Sequence, residues 1–187
     1  MPSLRYKDLS LGNSIGRMAW QIVWVLLYRP TPRILHPWRR FLLRLFGAKL
    51  GKGAHPYPSA RIWAPWNLEM GDYSCLGEQV DCYCVDKIRL GAHSLVSQYS
   101  FLCSASHDYS DLALPLVTAP ISIGERAWVT SDVFIGPGVT IGKGAVVLAR
   151  SSVFKSIEPW GVFAGNPAVK IKDRRVKGSS DSGEIAG

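Results

Sequence analysis

The sequence predicts an all-β fold, in which the chain winds as a parallel β-helix of hexapeptide repeats. Between residues 121 and 157 an aliphatic side chain returns at every sixth position, at Ile123, Val129, Ile135, Ile141, Val147 and Val153. A second small or apolar residue stands two positions before each of these, which is the alternation of a short strand. Turn signals such as Gly136-Pro137-Gly138 separate the strands. Because the period does not slip, it favours triangular coils of three hexapeptides over a sandwich, whose turns come about every 8–12 residues.

The segment that precedes the repeats, residues 1–48, predicts a helical cap. Residues 1–13 are expected to form a mobile lead-in, Ser14 to cap a helix from about Ile15 to Tyr28, and a second helix to run from about His36 to Phe46. The first helix is too short for a membrane span, which needs about 20 apolar residues. Two compatible interpretations stay open for this pair of helices. They close the first coil and pack on a neighbouring subunit, or they form a basic, aromatic anchor at a membrane interface.

The repeats are predicted over residues 49–160, in about five coils, with slips of two residues before Met70 and before Leu90. One larger break interrupts them, because Leu102 and Ile123 are 21 positions apart where the period requires six. A loop at residues 103–120 should therefore protrude from the solenoid, where insertions often lie on the binding face. Residues 161–187 are expected to form a C-terminal segment that ends, from about residue 177, in a polar disordered tail.

Length and composition fit a single domain. The chain has 187 residues, of which 47% are hydrophobic and 7 are Trp, so some outer faces of a thin solenoid should meet a subunit or a ligand. The net charge of +8 favours an anionic ligand or an anionic membrane surface, and no nucleic-acid-binding motif accompanies it. The four cysteines include no CxxC pair and no secretory signal is visible. A reducing, cytoplasmic setting without a structural metal or disulfide is therefore expected.

The protruding loop holds the candidate catalytic residue, His107. Imidazole is the side chain suited to proton transfer near neutral pH. His36 lies at a helix start, and His55 and His93 occupy turn positions of the repeat, where polar residues are expected for structural reasons. His107 differs from them because it lies where the chain departs from its own period.

Six segments carry a resemblance to a known family. They are PSARIWAPWNLEMGDYSCLGE, VDCYCVDKIRLG, SQYSFLCSASHDYSD, TAPISIGERAWV, IGPGVTIGKGAVV and VFAGNPAVKIK. Through them the chain, from about Arg29 to Lys172, resembles the hexapeptide-repeat acyltransferases of the left-handed β-helix class. Within that class it is similar to the colanic acid biosynthesis acetyltransferases, relatives of the galactoside, maltose and nodulation acetyltransferases.

The resemblance implies a homotrimer that moves an acetyl group from acetyl-CoA to a sugar hydroxyl in exopolysaccharide or surface glycan biosynthesis, without a metal. It assigns His107 as the general base, Gln79 and Asp81 to the acceptor pocket, and Trp128 to a place beside the acceptor or the acetyl group. The residues that it assigns to acetyl-CoA are Ser131, Ala149, Phe154, Lys155, Lys170 and Lys172. Ser131 and Ala149 are 18 positions apart, so a triangular coil independently stacks them on one edge. The sequence departs from the pattern at Phe154, where relatives often carry a small hydroxyl residue, and at Val169, where some relatives use Arg.

The expected mechanism is direct transfer. A neutral imidazole takes the proton of the acceptor hydroxyl, for about 10²–10⁴-fold in rate, and the oxygen attacks the thioester carbonyl without a covalent enzyme intermediate. A backbone N–H or a side-chain amide should hold the oxyanion. Asp81, Asp108 or Asp111 could orient the imidazole, and Asp81 is preferred. A basic cluster suits the CoA phosphates, or forms a solvated tail: Lys155, Lys170, Lys172, Arg174 and Arg175.

The sequence leaves two alternatives to this function. Some left-handed β-helices are γ-type carbonic anhydrases, which bind a metal through three histidines shared between subunits. The repeat region offers His55, His93 and His107 and no closely spaced histidine pair on adjoining turns. The other alternative is a non-catalytic scaffold at a membrane-bound polysaccharide assembly, which the intact His107 and the AGNPA segment disfavour.

Overall fold

A computed structural model describes residues 5–6 and 10–176 and shows a parallel β-solenoid that two helices close at its N-terminal end. The parallel strands form three sheets, which we name faces 1, 2 and 3 in the order in which the chain visits them, and a fourth, three-stranded sheet is antiparallel. Face 1 contains Lys49–Leu50, Leu68–Met70, Ile88–Leu90, Ile121–Ile123 and Thr140–Ile141. Face 2 contains His55–Pro56, Cys75–Leu76, Leu95–Val96, Trp128–Val129, Val146–Val147 and Gly161–Gly165. Face 3 contains Arg61–Ile62, Asp81–Tyr83, Phe101–Cys103, Phe134–Ile135 and Ser152–Val153.

The strand register confirms the hexapeptide interpretation and its slips. Leu50 pairs with Met70 and Met70 with Leu90, so the first coils are two residues longer than the later ones, in which Ile123 pairs with Ile141. Five complete coils are followed by two sides of a sixth, where Ile157 bridges to Ile141 and the last strand of face 2 stacks on the fifth coil.

The core is a column of aliphatic side chains. All six residues of the periodic row between 121 and 157 are buried. Full burial of a side chain of this size contributes about 1.5–3 kcal/mol. The corners between faces also stack closely. A Cβ at Gly91 would lie 2.5 Å from the backbone nitrogen of Glu125 in the next coil. This corner position therefore has no room for a side chain.

The first helix, α1, spans Leu11–Val23 and continues as a π-helical turn over Trp24–Tyr28. The prediction that Ser14 caps this helix is wrong. Ser10 is the N-cap, and its Oγ accepts a hydrogen bond from the backbone N–H of Asn13 at 3.2 Å. The helix begins one turn early because Leu11 continues the apolar spacing of the residues that follow.

The predicted lead-in is wrong in two of its parts. Residues 11–13 are helical, and Arg5–Tyr6 is a strand that pairs antiparallel with Leu116–Thr118. The rest of the lead-in, residues 1–4 and 7–9, and the predicted tail from residue 177 lie outside the described residues.

Hydrogen bonds from aromatic side chains attach α1 to the first coil. The indole N–H of Trp20 donates to the carbonyl of Ile62 at 2.6 Å, that of Trp24 to Ala60 at 3.0 Å, and the Tyr28 hydroxyl to Tyr57 at 3.2 Å. Trp20 and Tyr28 are fully buried, so these donors would lack partners in any other packing.

The second helix, α2, spans His36–Leu45, close to its predicted bounds, and Gly47 follows it with a positive φ of 86°. It packs on the first strands of faces 1 and 2 through Leu42 and Leu43, which are buried. The helices therefore do close the first coil. Among the described helices none is long and apolar enough to cross a bilayer.

Candidate active site

The predicted loop is a β-hairpin that leaves the solenoid at the corner between faces 3 and 1. Ala105–His107 pairs antiparallel with Leu116–Thr118, in the register that places His107 opposite Leu116. Three polar side chains fix its base. Ser104 Oγ donates to the carbonyl of Tyr83 at 2.9 Å and accepts from the backbone N–H of Asp86, and Thr118 Oγ1 donates to the Asp86 carboxylate at 3.2 Å. The hairpin is thus anchored to the second coil, beside the point where it leaves the third.

His107 ends the first strand of this hairpin, with its side chain exposed to solvent. Its Nδ1 lies 2.5 Å from the backbone carbonyl oxygen of Leu114. A carbonyl can only accept, so Nδ1 carries the proton and Nε2 of the neutral ring is the basic nitrogen. The hairpin therefore holds the imidazole in the tautomer that a general base requires.

The three aspartates proposed to orient His107 make other contacts. Asp108 accepts from the backbone N–H and hydroxyl of Ser110 and from the Tyr6 hydroxyl, and these bonds hold the pKa of Asp108 below its ordinary value. Asp111 accepts from the backbone N–H of Ala113. Both carboxylates thus shape the tip of the hairpin. The positioning contact to the ring comes from the main chain at Leu114, not from the preferred Asp81.

A groove of about 750 Å³ runs between α1 and face 3. Its polar lining consists of Ser14, Arg17, Gln21, Arg61 and Asp81. Its aromatic lining is Trp24, Trp63, Tyr83 and Phe101, with Met18 and Ile62 beside them. The backbone carbonyl of Tyr83 also accepts the hydrogen bond from Ser104, so one residue of the groove lining is bonded to the base of the hairpin that carries His107. Aromatic walls with a few convergent polar groups are typical of small-molecule sites.

The two acceptor-side candidates that are neighbours in sequence fall in different places. Asp81 is half-buried in the groove, where burial raises its pKa, and Arg61, 3.9 Å away, opposes that rise. Gln79 lies outside the groove lining, at the corner between faces 2 and 3, where its backbone N–H donates to Ser59 Oγ at 3.0 Å. The structure therefore associates Asp81 with the groove and gives Gln79 a turn position with a positive φ of 53°.

Face 3 carries a ladder of aromatic rings that the sequence analysis did not identify. The rings belong to Trp63, Tyr83, Phe101, Phe134 and Phe154, and successive centroids are 5.4 to 6.3 Å apart. At the α1 end, the Arg17 guanidinium lies 4.3 Å above Trp63. The signal was present as outward aromatic residues one coil apart. The spacing of these residues becomes regular only when the 15 inserted residues are left out of the residue count.

Trp128 and the first two cofactor candidates lie on the other side of the triangle. Trp128 is partly exposed on face 2, and its indole N–H donates to Ser97 Oγ at 3.0 Å. Ser131 and Ala149 stack at the corner between faces 2 and 3, where the N–H of Arg150 donates to the Ser131 carbonyl at 3.1 Å. The expected stacking of residues 18 positions apart is therefore present.

The remaining cofactor candidates lie toward the C-terminal end. Phe154 and Lys155 are exposed after the last strand of face 3, and Lys172 is exposed on Ala168–Asp173, which pairs antiparallel with Gly161–Gly165. Lys170 has carboxylate partners of its own. Asp173 and Glu158, 2.6 and 2.5 Å away, raise the pKa of Lys170 to about 12, so its ammonium is already ion-paired within the protomer.

One protomer separates the candidates into two sets. His107 and the Asp81 groove lie on face 3 and at its corner with face 1, whereas Trp128, Ser131 and Ala149 lie on face 2 and at its corner with face 3. Ser131 and Ala149 thus border face 3 on one edge, and the hairpin with His107 leaves it at the other. Within residues 5–6 and 10–176, no three His, Cys, Asp or Glu side chains cluster as a metal site would require.

Comparisons with known proteins agree with this architecture. The chain is 48% identical over 163 residues to the colanic acid biosynthesis acetyltransferase WcaF of Escherichia coli (strain K12), an alignment that covers 87% of this chain and 90% of that protein. It has the same identity and coverage with WcaF of Shigella flexneri. No family model matches the chain.

Two solved structures share the fold at lower identity. A hexapeptide-repeat acetyltransferase of Vibrio cholerae, complexed with acetyl coenzyme A, superposes with a TM-score of 0.80 at 22% identity and covers 92% of this chain and 94% of its own. A galactoside acetyltransferase in complex with coenzyme A superposes with a TM-score of 0.76 at 23% identity and covers 90% and 86%. At these identities the likeness concerns the fold.

Proposed function

This chain belongs to the colanic acid biosynthesis acetyltransferases, within the hexapeptide-repeat acetyltransferases, and from that membership we propose that it moves an acetyl group from acetyl-CoA to a sugar hydroxyl of an exopolysaccharide. The observation that carries the proposal is the hairpin. It holds Nδ1 of the exposed His107 side chain at the Leu114 carbonyl, which leaves Nε2 as the basic nitrogen. Acetyl-CoA is a cytoplasmic metabolite, so the reaction is assigned to the cytoplasm.

In the proposed reaction Nε2 of His107 accepts the proton of the acceptor hydroxyl as the oxygen attacks the thioester carbonyl carbon. The tetrahedral intermediate then collapses, the C–S bond breaks, and the imidazolium returns its proton to the departing CoA sulfur. The Leu114 carbonyl accepts a hydrogen bond from Nδ1–H throughout, so the ring keeps its orientation while Nε2 gains and returns the proton.

The groove beside α1 is proposed as the acceptor site. Its aromatic walls suit the apolar face of a sugar ring, and Asp81, Arg61 and Arg17 offer hydrogen bonds to its hydroxyls. Burial raises the pKa of Asp81 because it disfavours the charged carboxylate. A sugar hydroxyl that donates a hydrogen bond to this carboxylate would stabilise its charged form.

Trp128 and the cofactor candidates Ser131 and Ala149 are proposed to serve a neighbouring protomer. In one chain they lie on a different edge of the solenoid from His107, and in the proposed cyclic trimer this edge would meet the hairpin of the next protomer. Light scattering should then give about three times the protomer mass of 20.6 kDa. A concentration-independent mass of one protomer would contradict shared sites.

His107→Ala tests the base. We expect thiol release from acetyl-CoA, measured against nucleotide sugars, lipid-linked sugars and free glycosides, to fall by about 10²–10⁴-fold in kcat, with KM for acetyl-CoA little changed. His107→Asn keeps a donor for the Leu114 carbonyl and removes the base, so it should be as inactive as the Ala variant.

The matched control is His93→Asn. His93 is an exposed histidine in a corner with a positive φ of 57°, which Asn tolerates, and it stacks on Tyr73. Its activity should stay within about twofold of the parent. Turnover by His107→Ala close to that of the parent would rule out the assignment of the base.

A further inference from the structure

The exposed side of α1 is as apolar as its buried side. Leu11, Ile15, Met18 and Ile22 lie on one stripe at helical spacing and are more than half exposed, Leu11 at 83%. Trp20 and Trp24, which anchor the helix to the first coil, project from the opposite side. A helix that packs on a solenoid needs one apolar face, so the second face has no role in closing the coil.

The second helix repeats this arrangement. Trp38, Phe41 and Leu45 form its exposed stripe, with Leu45 69% exposed, whereas Leu43 on the opposite side is fully buried. The Trp38 indole N–H donates to the carbonyl of Leu27 at 2.9 Å, which joins the stripe of α2 to the end of α1. We call the whole surface the cap surface. It consists of Leu11, Ile15, Met18, Ile22, Val25, Leu26, Leu27, Ile34, Leu35, Trp38, Phe41 and Leu45.

The charge of the chain is concentrated around the same surface. Residues 10–68 contain nine Arg and Lys and no Asp or Glu, so this segment alone accounts for the net charge of +8. Several of these cations are exposed beside the stripes, among them Arg29, Arg33 and Arg44. An apolar stripe flanked by cations and free of acidic residues is the pattern of helices that lie in the interface of an anionic bilayer.

We propose that the cap surface docks on an anionic lipid bilayer, with α1 and α2 lying in the plane of the headgroups and their exposed stripes inserted among the acyl chains. The charge favours this occupant over a second copy of the chain, because two such surfaces brought together would juxtapose their arginines without acidic partners. The opposite sides of the helices stay packed on the first coil through Trp20, Trp24 and Leu43, so docking does not compete with that packing.

The proposal is independent of acetyl transfer and is tested by lipid binding alone. Full-length protein is mixed with vesicles of phosphatidylethanolamine and phosphatidylglycerol, or of phosphatidylcholine only, and sedimented. We expect binding to the anionic vesicles, weakened severalfold when the salt is raised from about 0.05 to 0.5 M. The double variant Arg29→Gln/Arg44→Gln should lower the affinity about 10–30-fold, at about fivefold for each cation near the surface.

The apolar contribution is tested by the triple variant Ile15→Gln/Ile22→Gln/Phe41→Gln. All three side chains are exposed, so the protein should keep its unfolding temperature and lose vesicle binding by at least tenfold. The matched control replaces three exposed apolar residues of the solenoid, Tyr99, Leu148 and Ile171, by Gln. This control should bind vesicles as the parent does.

Three outcomes would overturn the proposal. Parent protein that stays in the supernatant with anionic vesicles has no such docking surface. Equal loss of binding in the control triple would mean that the cap surface is not the contact. If the Ile15/Ile22/Phe41 triple has a lower mass than the parent by light scattering in lipid-free buffer, the cap surface is an interface between copies of the chain.

Discussion

Arg39 is a fully buried cation whose partners are all neutral, and its replacement tests how the cap is held together. Its Nε donates to the Pro56 carbonyl at 2.8 Å, and one terminal nitrogen donates to Thr31 Oγ1 at 2.7 Å and to the Pro32 carbonyl at 3.0 Å. The other terminal nitrogen donates to the Arg33 carbonyl at 2.7 Å and contacts His36 Nδ1 at 3.0 Å. One guanidinium thus ties the turn between the helices to the first coil.

The expected cost follows from these contacts. Hydrogen bonds to a charged group contribute about 1.5–3 kcal/mol each, and the desolvation of the guanidinium, which lowers the pKa of Arg39, offsets part of the total. Pro32 and Arg33 are exposed, so water can replace the guanidinium there. The hydrogen bonds to Pro56 and Thr31 are the two whose loss water does not compensate. We therefore expect Arg39→Met to lose about 2–4 kcal/mol.

Arg39→Lys separates geometry from charge. An ammonium keeps the desolvation penalty but cannot span acceptors on both sides as the planar guanidinium does, so the Lys variant should lose at least as much as the Met variant. For a chain of this length the loss is about 5–12 °C in unfolding temperature, measured by circular dichroism at one protein concentration. Arg40→Met is the matched control, since Arg40 makes one such bond, to the Ala54 carbonyl at 2.9 Å, and should lose about 1 kcal/mol. A Lys variant as stable as the parent would refute the reasoning.

Two further predictions concern the solenoid. Glu69 is surrounded by Arg89, Lys49 and Lys87 at 3.0 to 3.4 Å; burial disfavours its charge, but the cations hold its pKa below the ordinary value of 4.5. Its stabilising effect is therefore complete above about pH 5 and is lost as the pH falls through the lowered pKa. Glu69→Gln should cost about 1 kcal/mol at pH 7 and progressively less as the pH is lowered below about 4.5, by urea unfolding across this range. Trp128→Phe keeps a ring on face 2 but removes the hydrogen bond to Ser97, so we expect kcat/KM for acetyl-CoA to fall about fivefold with an unchanged unfolding temperature, and an unchanged kcat/KM would exclude Trp128 from the site.

The periodic features were predictable because equivalent positions of successive coils are buried in the same way. The aliphatic row, the two-residue slips and the 15 extra residues ahead of Ile123 all follow from counting, and the structure has each of them. The hairpin could be located as a break in the period, and with it His107.

Features that depend on single contacts were not predictable. The partner of His107 is a backbone carbonyl, made available by a turn in which Leu114 has a positive φ of 47°, and no side-chain pattern encodes it. The sequence predicts Lys170 as a phosphate ligand, but in the folded chain its ammonium is paired with Asp173 and Glu158.

The strand Arg5–Tyr6 has a practical consequence. It pairs with the outgoing strand of the hairpin, and the Tyr6 hydroxyl donates to Asp108 at 2.9 Å, beside His107. Three residues separate this strand from Ser10, which caps the first helix. An affinity tag or fluorescent protein fused ahead of Arg5 would therefore emerge next to the hairpin that carries His107. Kinetic work should use a fusion at the other end of the chain, because an N-terminal one would alter the quantity being measured.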